Sequence, residues 1–246
     1  MISASIVLYN TNLETLQNTV YSFLKTPIPK KLYLIDNSKT SKLKKHFLHK
    51  EIEYIFLGQN IGFGSAHNLV LHKLTSEFHL ILNPDVEFSG HVIPSLIKKL
   101  KTTENTSFIS PKVLNSDKTL QYVCRKHPTF LNLLNRKLKF SKKQIEKNQY
   151  QHKDVNEAFN PEFIHGCFML FKTKYFKKLK GFDERYFLYL EDADLCRKIE
   201  IQSQKILYFP DVHIVHQHQK GSSKKIKLFF YHVSSAIRYF LKWGFR

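Results

Sequence analysis

Residues 1–85 alternate short apolar runs with stretches at helical spacing, and each run stops at polar residues. Ser5 to Leu8 runs into Asn10-Thr11-Asn12, Leu13 to Leu24 carries apolar residues at helical spacing, and Pro27 and Pro29 punctuate the stretch after it. Lys31 to Ile35 reads as the next strand and is closed by Asp36-Asn37-Ser38; Ile52 to Leu57 is the third. Asn60-Ile61-Gly62-Phe63-Gly64 then opens a helix to about Leu74, and the strand His79 to Leu82 stops at Asn83-Pro84-Asp85. A β-α-β-α-β-α-β order predicts an α/β fold with a mostly parallel sheet and right-handed crossovers. Function in such sheets gathers where strands end. The polar clusters Tyr9-Asn10, Asp36-Asn37, Gln59-Asn60 and Asn83-Asp85 therefore face one crevice, although each alone also reads as an Asx-turn or helix cap.

Charge sets the next bound. Thirty-nine Lys and Arg against 20 Asp and Glu give a net charge of +19, which attracts nucleic acid, an anionic membrane face or a phosphorylated substrate. No zinc-finger, RNP or basic-zipper pattern is present, and the lysines fall in scattered doublets, so no nucleic-acid partner is expected. Cys124, Cys167 and Cys196 are widely spaced with no C-x-x-C pair, which fits a reducing cytoplasm better than a disulfide framework. No apolar run approaches the ~20 residues that span a bilayer. A cytoplasmic protein, peripheral at the inner face of the membrane, is expected.

Beyond residue 115 the pattern weakens. Residues 116–160 are polar and lysine-rich and read as a mobile or acceptor-side insertion. Structure resumes with a strand from Phe163 to Phe171, a short helix from Tyr175 to Leu179, a helix from about Glu191, and strands Lys205 to Phe209 and Ile214 to His218. The tail, residues 224–246, has Ile226, Phe229, Phe230, Val233, Ile237, Phe240 and Leu241 at helical spacing among Lys224, Lys225, Lys227, Arg238, Lys242 and Arg246. Two uses stay open for this amphipathic helix: packing its stripe on the domain, or lying on an anionic leaflet.

Three constellations carry chemistry. Asp85, on a turn at a strand end, suits a hard divalent cation with positions left for pyrophosphate oxygens, and equally suits a type I turn. Glu191, Asp192 and Asp194 follow an aromatic, apolar segment where burial raises a carboxyl pKa and favours a general base; the alternative is a helix start stabilised by acids. Strand alternation puts His216 and His218 on one face and His213 on the other, which argues against three-fold ligation from that strand.

The chain resembles glycosyltransferase family 2, in its rhamnosyltransferase-like branch of bacterial surface-polysaccharide enzymes. The resemblance rests on Ile6 to Asn10, Ile35 to Ser38, Asn60 to Gly64 with Asn68, Leu82 to Val86, Ser110 to Val113, Gly166-Cys167, the block Phe182 to Arg197, and His216 with Gly221-Ser222, in the family's order. It implies a GT-A fold, with 1–115 as the nucleotide-sugar half, 116–223 as the acceptor and catalytic half, and 224–246 as an appended helix. It also implies metal-dependent, inverting transfer from a nucleotide-diphosphate sugar, dTDP-rhamnose or a UDP-hexose, to a lipid-linked or oligosaccharide acceptor in O-antigen, capsule or lipopolysaccharide synthesis. On the same resemblance, Tyr9, Asn10, Asp36, Asn60, Gly62, Asn68, Asn83 and Asp85 bind donor, with Asp36 at the base or ribose. Asp192, with Glu191, is the catalytic base, while Gly166 and Asp194 lie on the acceptor side. Asp85 and His216, or His218 in its place, hold Mn2+ or Mg2+. Asn83 departs from the family's first aspartate, and a neutral amide there lowers the charge available to a metal. The competing reading is a basic, non-catalytic protein that binds membrane surface or nucleic acid, which leaves the acidic block unused.

Overall fold

Strand β1 (Ile2–Leu8) is buried at every position, as a central strand covered on both faces must be. The computed structural model describes residues 1–138, 140–217 and 226–245, with the side chains of residues 136 and 137 also left out. Asn12 caps helix α1 (Leu13–Leu24) by accepting from Thr15 N at 3.0 Å. Strand β2 (Lys30–Asp36) returns parallel to β1, and β3 (Ile52–Phe56) follows through a single 3-10 turn at Lys44–His46 instead of a helix. That connection is lysine-rich and offers only Leu43, Phe47 and Leu48 to bury. Helix α2 (Phe63–Asn68) is short, with a 3-10 turn at Leu71–Lys73 completing the way to β4 (Phe78–Leu82).

The remaining elements are β5 (Val86–Glu87), α3 (Val92–Thr102), β6 (Thr106–Leu114), β7 (Cys124–Arg125), α4 (Phe130–Leu138), α5 (Lys142–Asn148), β8 (Phe163–Ile164), β9 (Phe168–Lys172), α6 (Thr173–Lys178), α7 (Glu191–Ile201), β10 (Lys205–His216) and α8 (Ile226–Trp243). The main sheet has the order β3-β2-β1-β4-β9-β6-β10-β5, parallel except at β9 and β5. Chain order reverses between β1 and β4, the position where open α/β sheets form a crevice. Register keeps their ends nearly level, with Leu8 opposite Asp36 and Ile6 opposite Leu82.

Three expectations are corrected. The strand expected over Phe163 to Phe171 breaks at His165-Gly166-Cys167, with β8 pairing β7 and β9 joining the main sheet. The two strands expected at 205–218 are one, β10, with a bulge between Phe209 and His213 opposite Pro111; the proline offers no ladder N–H, so the partner slips past it. Residues 116–160 contain α4 and α5, clamped by Asn135, whose amide donates to Ser141 O and accepts from Ser141 N.

Beneath the crevice runs a buried polar chain. Ser76 Oγ lies 2.6 Å from Ser3 Oγ, Ser3 2.8 Å from His79 Nδ1, Ser5 3.0 Å from His79 Nε2, and Ser5 2.7 Å from His67 Nδ1. His79 stacks on Phe176, and His67 meets the edge of Phe63. Burial lowers the pKa of His79 to about 3 and that of His67 well below the ordinary value, with the two rings adding mutual repulsion at His67. Both histidines are neutral in the fold and become protonated in the unfolded chain below about pH 6.5. Their contribution to stability is therefore complete above that value and is lost as pH falls toward 3. Denaturant titrations from pH 7 to pH 4.5 are expected to show stability dropping by up to about 1.4 kcal/mol per pH unit for each histidine; a flat profile contradicts the assignment.

Candidate functional site

The turn Asn83-Pro84-Asp85 leaves β4 at its carboxyl end and is held from three sides. Asn83 N donates to Cys167 O at 2.9 Å, Thr19 Oγ1 donates to Pro84 O at 2.9 Å, and Gln217 N donates to Asp85 O at 2.9 Å. The antiparallel pairing of β5 with β10 brings His216 opposite Val86. His216 Nε2 consequently lies 3.2 Å from Asp85 Oδ1 and 3.4 Å from Asn83 Nδ2, with its Nδ1 at 2.8 Å from Gln121 Oε1. Burial opposes charge on His216, but Cys167 and the Asp85 carboxylate outweigh it and raise its pKa to about 10. Asp85 Oδ1 is buried with no well-aligned hydrogen-bond donor.

This donor set fits a divalent cation. A buried carboxylate oxygen facing an imidazole nitrogen, whose other nitrogen is oriented by an amide, has the chemistry of a mixed O/N site once a cation takes the place of the imidazole proton between them. Among the described residues no three His, Cys, Asp or Glu side chains converge as a metal cluster, so the chain supplies only part of a coordination shell. His218 lies outside the described residues, as do Gly221, Ser222, Lys224, Lys225 and Arg246.

Asp192 sits on the other side of the His165-Gly166-Cys167 break. Its Oδ2 accepts from Gly166 N at 3.1 Å and lies 3.4 Å from His165 Nδ1, while its Oδ1 accepts from Ala193 N at 2.8 Å. Arg125 Nε donates to His165 Nε2 at 2.8 Å, which leaves the imidazole proton on Nδ1, toward Asp192. Burial works to raise the Asp192 pKa, but His165 and the two backbone N–H groups prevail and hold it below the usual carboxylate value. The elevation expected from burial falls on Glu191 instead, which is buried beside the Asp192 charge with Oε2 unpartnered. Gly166 and Cys167 thus link the two carboxylates: one donates to Asp192, the other accepts from Asn83.

The glycine loop and the acidic block interlock. Phe63 N donates to Phe187 O at 3.0 Å, and Asn37 Nδ2 donates to Gly62 O at 3.0 Å. Asn60 Oδ1 accepts from Gly62 N at 2.9 Å. Asn68, expected at the donor, directs its amide to the distant 182–184 turn, accepting from Phe182 N and donating to Phe182 O and Glu184. Asp194, expected on the acceptor side, is fully buried, and its Oδ1 binds Trp243 Nε1 at 2.8 Å and Lys242 Nζ at 2.7 Å. It anchors α8. The α-helical turn explains the separation: two residues on from Asp192, its side chain points to another face.

The remaining donor-side expectations lie at the other strand ends. Asp36 is almost wholly buried, with Oδ1 accepting from Ser38 N at 2.9 Å and Oδ2 from Tyr54 OH at 2.5 Å. Asn10 adopts a left-handed φ of 51° and donates its N–H to Ser38 Oγ; Tyr9 beside it is half exposed. Sequence reasoning missed His165, Arg125 and Gln121. The first is adjacent to the quoted Gly166, and the other two fall in the segment read as an insertion.

The family model described as Glycosyl transferase family 2 matches residues 3–180. Rhamnosyltransferase WbbL of Escherichia coli (strain K12) is 27% identical over 220 residues, covering 85% of this chain and 81% of that protein. The N-acetylglucosaminyl-diphospho-decaprenol L-rhamnosyltransferase of Mycobacterium tuberculosis is 22% identical over 235 residues, 87% of this chain and 76% of that one. Among solved structures, GalNAc-T7 with UDP, GalNAc and Mn2+ superposes with a TM-score of 0.66 at 15% identity, over 89% of this chain and 43% of that chain. The mannosyltransferase PcManGT from Pyrobaculum calidifontis, with GDP-Man and Mn2+, gives 0.65 at 16% identity over 96% and 64%. This chain thus spans less than two thirds of either solved chain, and at these identities the likeness is one of fold.

Gly62 is where the loop tolerates no side chain. Its φ is +95°, and a Cβ there falls 2.5 Å from Phe187 O. Gly62→Ala is expected to cost at least the ~1–3 kcal/mol of a strained backbone, read as a lowered denaturation midpoint; an unchanged midpoint contradicts the interlock.

Proposed function

Because the chain belongs to glycosyl transferase family 2, we propose that it is a divalent-metal-dependent, inverting glycosyltransferase that uses Asp192 as general base and the Asp85–His216 pair as its metal site. The observation that carries this reading is the shared support of the two groups by Gly166 and Cys167. The donor is a nucleotide-diphosphate sugar, dTDP-rhamnose or a UDP-hexose, held by the 1–115 half. The acceptor is a lipid-linked or oligosaccharide glycan, in line with the decaprenol-linked substrate in one relative's name.

Each residue's role comes from its surroundings. Asp192 is ionised at neutral pH because His165 and two backbone N–H groups stabilise its charge, so it is ready to receive a proton. His165, locked by Arg125, fixes the direction of the carboxylate. Glu191 beside it, with its pKa raised by burial and by Asp192, adds no second full charge. The acceptor hydroxyl gives its proton to Asp192 as its oxygen attacks the anomeric carbon, and the single displacement inverts configuration. A bound Mn2+ or Mg2+ supplies neutralisation of the departing diphosphate charge. Asp85 and His216 would hold it, with Gln121 orienting the imidazole through Nδ1.

Asp192→Asn is expected to cut turnover by roughly 10²–10⁴-fold, the usual contribution of a general base, with donor affinity nearly unchanged. Product release from a panel of nucleotide sugars, paired with calorimetry, measures both; turnover within tenfold of the parent rules out Asp192 as base. Chelation with EDTA is expected to abolish activity and Mn2+ or Mg2+ to restore it, with Asp85→Ala and His216→Ala each requiring far more metal. Full activity in chelator defeats the metal assignment.

A further inference from the structure

Helix α8 is docked by the face its sequence pattern does not favour. Ser235, Tyr239 and Phe240 are buried, Ser235 Oγ donates to Leu188 O at 2.8 Å, and Lys242 and Trp243 reach Asp194. Phe240 excepted, the apolar stripe lies away from this face: Ile226, Phe230, Ile237 and Leu241, spaced four, seven and four residues apart, are 77%, 63%, 56% and 75% exposed. Helix α4 does the same. It buries Asn135 and leaves Phe130, Leu131, Leu134 and Leu138 exposed, with Phe140 just beyond it. The two helices meet through Phe130 and Phe240, whose ring centroids are 6.3 Å apart. Two apolar stripes on adjoining helices make a patch of the kind that marks an interaction surface.

Charge selects the occupant. Residues 126–147 contain seven Lys and Arg against the single acid Glu146, and residues 224–246 contain six with no acid. Lys142, Lys143 and Lys227 are exposed. A second copy of a chain with a net charge of +19 would bring like-charged rims together. An anionic bilayer surface accepts both the apolar stripes and the basic rims. We propose that α4 and α8 together form an interfacial docking platform that lies in the headgroup layer of an anionic membrane. No described helix is long and apolar enough to cross a membrane, so the chain attaches without spanning through these elements. The platform adjoins the residues leading into α7: Phe187 packs on Tyr231 and Tyr189 on His232. Docking thereby brings Asp192 to the bilayer surface. That last consequence rests on the proposed transfer reaction; the docking itself does not.

Co-sedimentation of the full chain with phosphatidylglycerol and with phosphatidylcholine vesicles tests the platform. The protein is expected to pellet with the anionic vesicles at low salt, and far less in high salt. Leu131→Ser, Ile237→Ser and Leu241→Ser combined change only exposed side chains and should melt like the parent. They are expected to lower partition on the order of tenfold. Lys142→Gln lowers it roughly fivefold, the equivalent of about 1 kcal/mol per basic residue at the surface. Donor hydrolysis by the triple variant should match the parent's, so failure of docking is distinguishable from failure of the transfer reading. Equal binding to both lipids, no pelleting with phosphatidylglycerol, or a vesicle-free dimer that the triple variant dissolves would each overturn the proposal.

Discussion

The parallel pairing of β1 with β2 on one side and β4 on the other decides where everything else lies. It brings Asn10, Asp36 and the Asn83 turn to one edge, and it needs a central strand that is buried on both faces. Ser3 and Ser5 nevertheless sit on that strand. Their hydroxyls are tolerated because His79 and His67 complete a hydrogen-bonded chain, and the aromatic rings around it exclude water. Polar residues in the core thus tie β1, β4 and α2 to one another through directed hydrogen bonds, with His67 Nε2 alone left unpartnered in that hydrogen-bonded chain.

From that edge the site is assembled by exchange between distant segments. The break at His165-Gly166-Cys167 frees Gly166 N for the Asp192 carboxylate, while Cys167 O still bonds Asn83 N just beyond the β4–β9 ladder and ties the Asn83 turn to the same segment. The glycine loop and the 182–187 segment, more than a hundred residues apart in sequence, close on each other through Gly62, Asn68 and Phe187. The placement of the segment leading into Asp192, the proposed base, therefore depends on the glycine loop more than a hundred residues earlier in the chain.

Much of this was legible in the sequence, because strand ends and polar clusters obey local rules. The four clusters, the acidic block and the alternation that separates His216 from His213 all depend on spacing within a few residues. What escaped was set by tertiary contact. Asn68 and Asp194 belong to motif segments, and the spacing gave no sign that Asn68 bonds Phe182 or that Asp194 Oδ1 bonds Trp243 of α8. His165 and Arg125 matter only because β8 pairs with β7. The pKa expectation failed for a related reason: burial alone raises a carboxyl pKa, but two backbone N–H groups and an imidazole reverse the sign at Asp192 and leave the increase to Glu191.

Tyr189 and Leu190, directly before Glu191, both adopt left-handed backbone angles, with φ of 73° and 65°. Neither is glycine, and each such residue costs on the order of 1–3 kcal/mol. The bend survives because neighbours grip it: Gly62 and Phe63 hold Phe187, and α8 holds Leu188. The aim of the proposed catalytic carboxylate is therefore under tension, and the helix at the far end of the chain is one of its two restraints. Loss of the Ser235 hydroxyl that holds Leu188 would reach α7 as a change of angle, not merely as a loss of packing, whereas changes on the exposed face of α8 would leave the bend alone.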